Sequence, residues 1–166
     1  MVVSSVADLD APTVAIIGCG NTNRGDDGAG PAVVARLEAQ NLHPDVALLD
    51  AGTDGMAVIY RARGAKRLVV IDAREPEGNP GAIYEVPGTV LEAEPVHGVG
   101  LHAFRWDHAL FVGRKVFGDS FPADVQVFLI EAQSLDYGTE LSLPVAAAVE
   151  AVAGKIAAQV AVASEG

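Results

Sequence analysis

Residues 13–30, TVAIIGCGNTNRGDDGAG, restrict the fold more than any other stretch of the chain. The run 13–17 is apolar on both faces, which suits a central parallel strand covered by helices on either side. It ends at Gly18 in a glycine-rich loop that holds two adjacent carboxylates, Asp26 and Asp27. Pro31, followed by Val33, Val34 and Leu37, then marks a helix to about Gln40. Strand, glycine loop and helix in that order place the loop at the carboxyl edge of a parallel sheet. Open α/β sheets bind their ligands at that edge.

The remaining chain extends the same scheme. Residues 46–49 read as a second strand ending at Asp50, and Thr53 is placed to cap a helix through Met56, Ile59 and Tyr60 that Gly64 terminates. Residues 68–71 form a third buried strand with Asp72 at its tip. After the Pro80-Gly81 turn, residues 82–86 follow too soon for a helical crossover, so this strand is expected antiparallel to its neighbour. Residues 87–100 carry prolines and glycines and read as a loop. Leu101, Phe104, Phe111 and Phe117 then recur at near-helical spacing up to Gly118. A fifth strand spans 125–130, and Ser142 opens a last helix to about Val162. The expected fold is α/β: a three-layer α/β/α sandwich around a five-stranded, mostly parallel sheet with one antiparallel strand. It forms a single domain over 13–166 behind a flexible N-terminal arm at 1–12.

Composition narrows the partners. Half of the 166 residues are apolar, enough for one core. With 22 acidic and 11 basic residues the net charge is −11. That charge opposes phosphate backbones and anionic lipid, so no nucleic-acid or membrane partner is expected. The single cysteine, Cys19, excludes an internal disulfide and a cysteine-based zinc site. Flanked by glycines at a strand end, it reads as a small packing residue rather than a nucleophile. No apolar run is read as approaching the roughly 18–20 residues that span a bilayer. The N-terminus lacks the basic-then-apolar pattern of a signal peptide. A cytoplasmic monomer is therefore expected.

A dinucleotide site fails on two counts. Gly18-Cys19-Gly20 follows a strand, but Asn23 stands where the fingerprint needs its third glycine. Asp26 and Asp27 would also oppose a pyrophosphate at the helix start. The constellation that carries chemistry is Asp27, Asp72 and a histidine. Two carboxylates and an imidazole can bind a divalent metal with positions left open for substrate, or act as an acid–base pair. His102 falls in the first turn of the helix from Leu101, where the positive helix end favours the neutral, ligating imidazole. His97, in a glycine-flanked loop, is the alternative, whereas His43 precedes Pro44 in a solvated connection. His102 and His108 lie about 240° apart around a helix and cannot share a face.

These residues resemble the nickel–iron hydrogenase maturation endopeptidases. Gly18-Cys19-Gly20-Asn21 with Asp26-Asp27-Gly28 and Gly30 is similar to that family's opening G-x-G-N-x-x-x-x-D-[DE]-G/A-x-G. Asp50-Ala51-Gly52-Thr53-Asp54-Gly55-Met56 resembles its D-G/A-G-T-x-G-[ML] segment. Val70-Ile71-Asp72-Ala73, Pro80-Gly81 and Leu141-Ser142 with Pro144 extend the likeness to nearly the whole chain. The resemblance implies an endopeptidase that removes a C-terminal extension from a hydrogenase large-subunit precursor. It implies nickel as a metal brought by that precursor, with none tightly bound to the protease itself. By motif position the nickel contacts fall on Asp27, Asp72 and His102, with Asp27 and Asp72 catalytic. Substrate recognition falls on Asp50, Gly52, Thr53 and Gly55. Two departures stand out: no Ser or Thr shortly precedes His102, and Asp27 is one methylene shorter than the Glu of some relatives. Other readings of the same ligands are a related acidic peptidase with a different precursor and a non-catalytic nickel-protein chaperone.

Overall fold

The computed structural model describes residues 12–91 and 107–164. Five strands form one sheet in the order β2-β1-β3-β5-β4, with β1 Val14–Cys19, β2 Val46–Gly52, β3 Arg67–Arg74, β4 Ile83–Pro87 and β5 Asp124–Glu131. The four strands β2, β1, β3 and β5 run parallel, and β4 pairs antiparallel with β5. The expected mostly parallel sheet with one antiparallel strand is present. The neighbour of β4 is β5, which lies between β4 and the strand that precedes it in sequence. Four helices complete the layers: α1 Ala29–Glu38, α2 Gly55–Ala62, α3 Asp107–Phe117 and α4 Leu143–Ser164. The proposed arm at 1–12 lies almost entirely outside the described residues, as does the start of the helix predicted from Leu101.

Strand alternation divides the core cleanly in two. Val14, Ile16, Val69, Ile71, Phe128 and Ile130 face α1 and α4, where they meet Val33, Leu37, Val149 and Ile156. Ala15, Ile17, Leu68, Val70, Val125 and Val127 face α2 and α3, meeting Val58, Ile59, Ala62, Ala109 and Leu110. Cys19 is buried in this second layer, as its packing role requires.

Helix α4 contains a stretch, Leu143–Ala161, that is long and apolar enough to cross a membrane by length and composition. This corrects the expectation that no apolar run approaches a spanning length: Glu150 and Lys155 interrupt the stretch, yet its valines, isoleucine and alanines keep its mean hydropathy high. In the fold, Val145, Val149, Val152, Ile156 and Val160 of this helix are buried in the core. It is accounted for as a core helix.

The position of α1 is set by glycine. A Cβ on Gly30 would overlap the backbone carbonyl oxygens of Cys19 and Ile71, and one on Gly18 would overlap the Gly30 carbonyl. The first turn of α1 thus lies directly on the backbones of β1 and β3, and no side chain fits between them. Gly30→Ala is expected to lower the unfolding free energy by about 3 kcal/mol, since the obstructing atoms are backbone and cannot rotate away. Urea denaturation checks this, and an unchanged midpoint would show that the contact is not limiting.

Candidate active site

The close seating of α1 determines where the residues before it lie. Leaving β1, the chain turns at Gly20, whose φ of 138° belongs to the left-handed half of backbone space. A Cβ there would overlap the carbonyl oxygen of Asp27. The loop folds back so tightly that Asn21 N–H donates to Asp27 Oδ2 at 2.8 Å, across six residues. Asp27 sits in a 3-10 turn, Gly25–Gly28, that runs directly into α1. Its side chain is 0 % exposed.

Asp72 is 1 % exposed and lies two residues inside the end of β3, not at the strand tip, because β3 continues to Arg74 through pairing with β5. Its Oδ1 accepts the N–H of Ala73 at 2.8 Å. Strand alternation puts it on the same sheet face as Leu68 and Val70, the face covered by α2 and α3. Strands β1 and β3 are hydrogen-bonded neighbours, and the turn carrying Asp27 packs against β3. The two buried carboxylates therefore share the carboxyl edge of the sheet.

Asp26, adjacent in sequence, has a different role. Its Oδ2 accepts from Gln133 N–H at 2.8 Å and Ser142 Oγ–H at 2.8 Å, and its Oδ1 from Ser142 N–H at 2.7 Å. Gly25 N–H also donates to the Gly138 carbonyl, and Gly138 N–H to that of Asn23. Asp26 thus fastens the 133–142 loop and the start of α4 to the site turn. Of the two adjacent aspartates one ties the scaffold, which leaves Asp27 as the candidate for chemistry.

The segment 50–56 docks beside this loop. Gly20 N–H donates to the Gly52 carbonyl at 2.8 Å, extending the β1–β2 pairing past an irregularity between Gly18 and Cys19. Asp50 is exposed and its Oδ1 accepts Gly52 N–H at 2.9 Å, shaping a turn in which Gly52 has φ 55°. Thr53 is exposed and does not cap α2. Asp54 does, accepting the N–H groups of Met56 and Ala57 at 3.0 and 3.3 Å. A carboxylate reaches two amides at once and complements the helix dipole, so it displaces the hydroxyl candidate one position earlier. The 50–56 segment is thereby joined through Gly52 and Gly20 to the loop that carries Asp27, and forms a rim at the same sheet edge.

Sequence reasoning missed Glu131. It ends β5 and is fully buried, accepting Glu77 N–H at 2.8 Å, Asn79 N–H at 2.7 Å and Tyr84 O–H at 3.0 Å. Arg74 stacks over the Tyr84 ring at 4.4 Å and pairs with Glu77 at 2.7 Å. This clamp fixes the 75–82 connection downstream of Asp72. No local motif marks it, since its donors, two backbone amides and the Tyr84 hydroxyl, lie 47 to 54 residues away. The Asn79 and Glu77 amides and the Tyr84 hydroxyl hold the Glu131 carboxyl below its ordinary value, while burial opposes them. The same bond raises the Tyr84 hydroxyl.

His97 and His102 both lie outside the described residues. His43 is exposed and its Nδ1 accepts Asp45 N–H at 3.2 Å. Among the described residues no group of three or more His, Cys, Asp or Glu side chains could hold a metal ion. Two carboxylate donors alone make a weak site for free metal.

This fold, a mixed five-stranded sheet between helical layers, is the fold of solved hydrogenase maturation proteases. The structure of the hydrogenase maturating endopeptidase HybD from E. coli is 22 % identical with a TM-score of 0.72, over 88 % of this chain and 90 % of that one. The [NiFe] hydrogenase maturation protease HybD from Thermococcus kodakarensis is 25 % identical with a TM-score of 0.69, over 87 % of this chain and 98 % of that one. A putative hydrogenase maturation protease from Methanocaldococcus jannaschii is 35 % identical over 101 residues, 57 % of this chain and 66 % of that protein, just under two thirds of its length. The profile of the hydrogenase maturation protease family HycI matches residues 31–159, most of the chain. The chain belongs to the hydrogenase maturation protease family, a family of peptidases. The matched span includes the 50–56 rim and Asp72 and begins four residues after Asp27.

The clamp gives this edge an acid-sensitive element. Because the Glu131 value is lowered in the folded state, its stabilisation is fully present above the ordinary value of 4.5 and is lost as pH falls below 4.5 through the native value. In unfolding measurements between about pH 3 and 7, the stability gap between wild type and Glu131→Gln should narrow towards acid. A gap independent of pH would show that the carboxylate charge contributes nothing.

Proposed function

We propose that this protein removes a C-terminal extension from a hydrogenase large-subunit precursor, engaging a nickel ion that the precursor itself carries. The observation that supports this reading best is the pair of buried carboxylates, Asp27 and Asp72, held at one sheet edge beside the 50–56 rim. Family membership supports the class of reaction and the kind of partner. The nickel contacts and the role of each residue are the further steps of the proposal.

Asp27, Asp72 and His102 contact the substrate-borne ion, with His97 as the alternative imidazole. Peptide hydrolysis needs a polarised carbonyl and an activated water. The ion, arriving with the substrate, supplies orientation and Lewis-acid polarisation. One carboxylate accepts the proton of the attacking water. Asp27 suits this role, because the Asn21 amide fixes one of its oxygens and so fixes the plane of the carboxylate. Asp50, Gly52, Thr53 and Gly55 line the path of the extension. The protein holds no tightly bound metal of its own and acts in the cytoplasm as a monomer.

The test is the intact mass of a nickel-loaded precursor before and after incubation with the protein. Wild type should release a C-terminal peptide. Asp27→Asn, Asp72→Asn and His102→Ala should each slow release by at least about 100-fold, the scale of a lost general base or charge stabiliser. Loss with Asp27→Asn and Asp72→Asn but not His102→Ala would move the imidazole role to His97. Wild type that binds its precursor without cutting it would favour the chaperone reading.

A further inference from the structure

The two faces of the sandwich are finished differently. On the α1/α4 side the outer helix positions beyond Leu143, the exposed first residue of α4, are small, polar or charged, with Arg36 and Glu150 paired across the two helices. On the α2/α3 side large apolar residues remain outside. Met56 and Tyr60, one turn apart on α2, are 52 % and 63 % exposed, and Val112 and Val116, one turn apart on α3, are 40 % and 65 % exposed. Spacing of four residues makes each pair a stripe along its helix. The stripes are joined where the Tyr60 ring meets Phe117 edge-on, with centroids 6.3 Å apart. The inner positions, Val58, Ile59, Ala62, Ala109 and Leu110, already supply the core, so fold stability does not account for the outer ones.

Charge follows the same asymmetry. The chain carries −11 overall, yet residues 55–67 contain Arg61, Arg63, Lys66 and Arg67 and no carboxylate. Arg61 lies about 100° round α2 from Tyr60, to one side of the stripe, and Arg63 is the C-cap at the end of the helix. Arg63 stacks over Phe117 at 5.1 Å, and Lys115, in the last turn of α3, over Phe111 at 5.6 Å. Among the described residues the acidic groups near this face are Asp54, which caps α2, Asp107, which begins α3, Asp119 beyond α3 and Asp124, which pairs with Arg67. An apolar strip edged by cations on an otherwise acidic protein matches a partner with an apolar patch edged by carboxylates. A second copy joined through this same face would set cations against cations. Continuity also counts, since Met56 closes the 50–56 rim and α2 starts there, so the strip begins at the candidate active edge.

We propose that the α2/α3 face, built on Met56, Tyr60, Val112 and Val116 and edged by Arg61 and Arg63, docks the folded body of the precursor while its C-terminal extension reaches Asp27. The proposal rests on the function given above. A terminal extension alone buries little surface, whereas a specific protein interface covers about 800 Å² per partner. The second surface makes up that difference and selects the body to which the extension is attached.

The experiment measures binding and cleavage of one nickel-loaded precursor in parallel, with wild type, Arg61→Glu/Arg63→Glu and Tyr60→Ser/Val116→Ser. All four positions are exposed, and circular dichroism confirms that the variants fold. The expected result is a Kd and KM raised at least about tenfold in each double variant, with kcat within about twofold, because the reacting groups are untouched. Raising salt should weaken wild-type binding more than that of the Arg61→Glu/Arg63→Glu variant. Equal binding by wild type and variants overturns the docking face, whether or not the precursor is cut. Wild type that neither binds nor cuts the precursor overturns the function on which the face depends. A concentration-dependent dimer that the Tyr60→Ser/Val116→Ser variant abolishes would assign the face to a second copy and also overturn the proposal.

Discussion

The backbone contact between Gly30 and the carbonyls of Cys19 and Ile71 is the constraint on which the rest of this structure depends. A helix normally stands off a sheet by the depth of its side chains. Here α1 begins with none in the way, and it closes onto β1 and β3 together. The preceding turn has no slack, so Asp27 is carried into the interior rather than left on a solvent loop. Gly20 then permits the reversed backbone that lets Asn21 hold the Asp27 carboxylate. Two glycines at unrelated local tasks, Gly30 and Gly20, thus have one joint consequence, a buried carboxylate next to the strand that bears Asp72.

Buried carboxylates need hydrogen-bond donors, and two at this edge are well supplied with them. Asp26 and Glu131 are surrounded by backbone amides and hydroxyls and serve as fasteners, one on each side of the active edge. Asp26 secures the loop leading to α4, and Glu131 secures the connection from β3 to β4. Asp27 and Asp72 lie between these fixed points. A rigid frame around a pair of acidic groups suits a site that must meet a ligand already coordinated elsewhere, since its donors have to be in place before the substrate arrives.

Much of this was legible in the sequence because it was local. The apolar runs gave the buried strands, Pro31 the start of α1, and the short connection before residue 82 the antiparallel β4. What was not legible depended on long-range partners. That Asp27 and Asp72 lie at neighbouring strands rested on β1 pairing with β3, which the sheet order supplies. Asp26 and Asp27 are equivalent by type and spacing, and only contacts with residues 133–142 separate them. Glu131 carries no motif, and Asp54 replaced Thr53 as the cap of α2 through a geometry that residue type alone did not decide. The apolar reach of α4 was concealed by Glu150 and Lys155, which break it into shorter runs. The histidine assignments, His102 and His97, fall outside the described residues and rest on the sequence.

The central claim is that Asp27 and Asp72 act as one unit on a shared substrate ion. A double-mutant cycle in kcat/KM on nickel-loaded precursor tests it most directly, using Asp27→Asn, Asp72→Asn and the double variant. Groups that work as a unit are strongly non-additive, so the double variant should be about as slow as the slower single variant. Losses that multiply, with the double variant slower by the product of the two, would mean that the carboxylates act independently and would contradict the account.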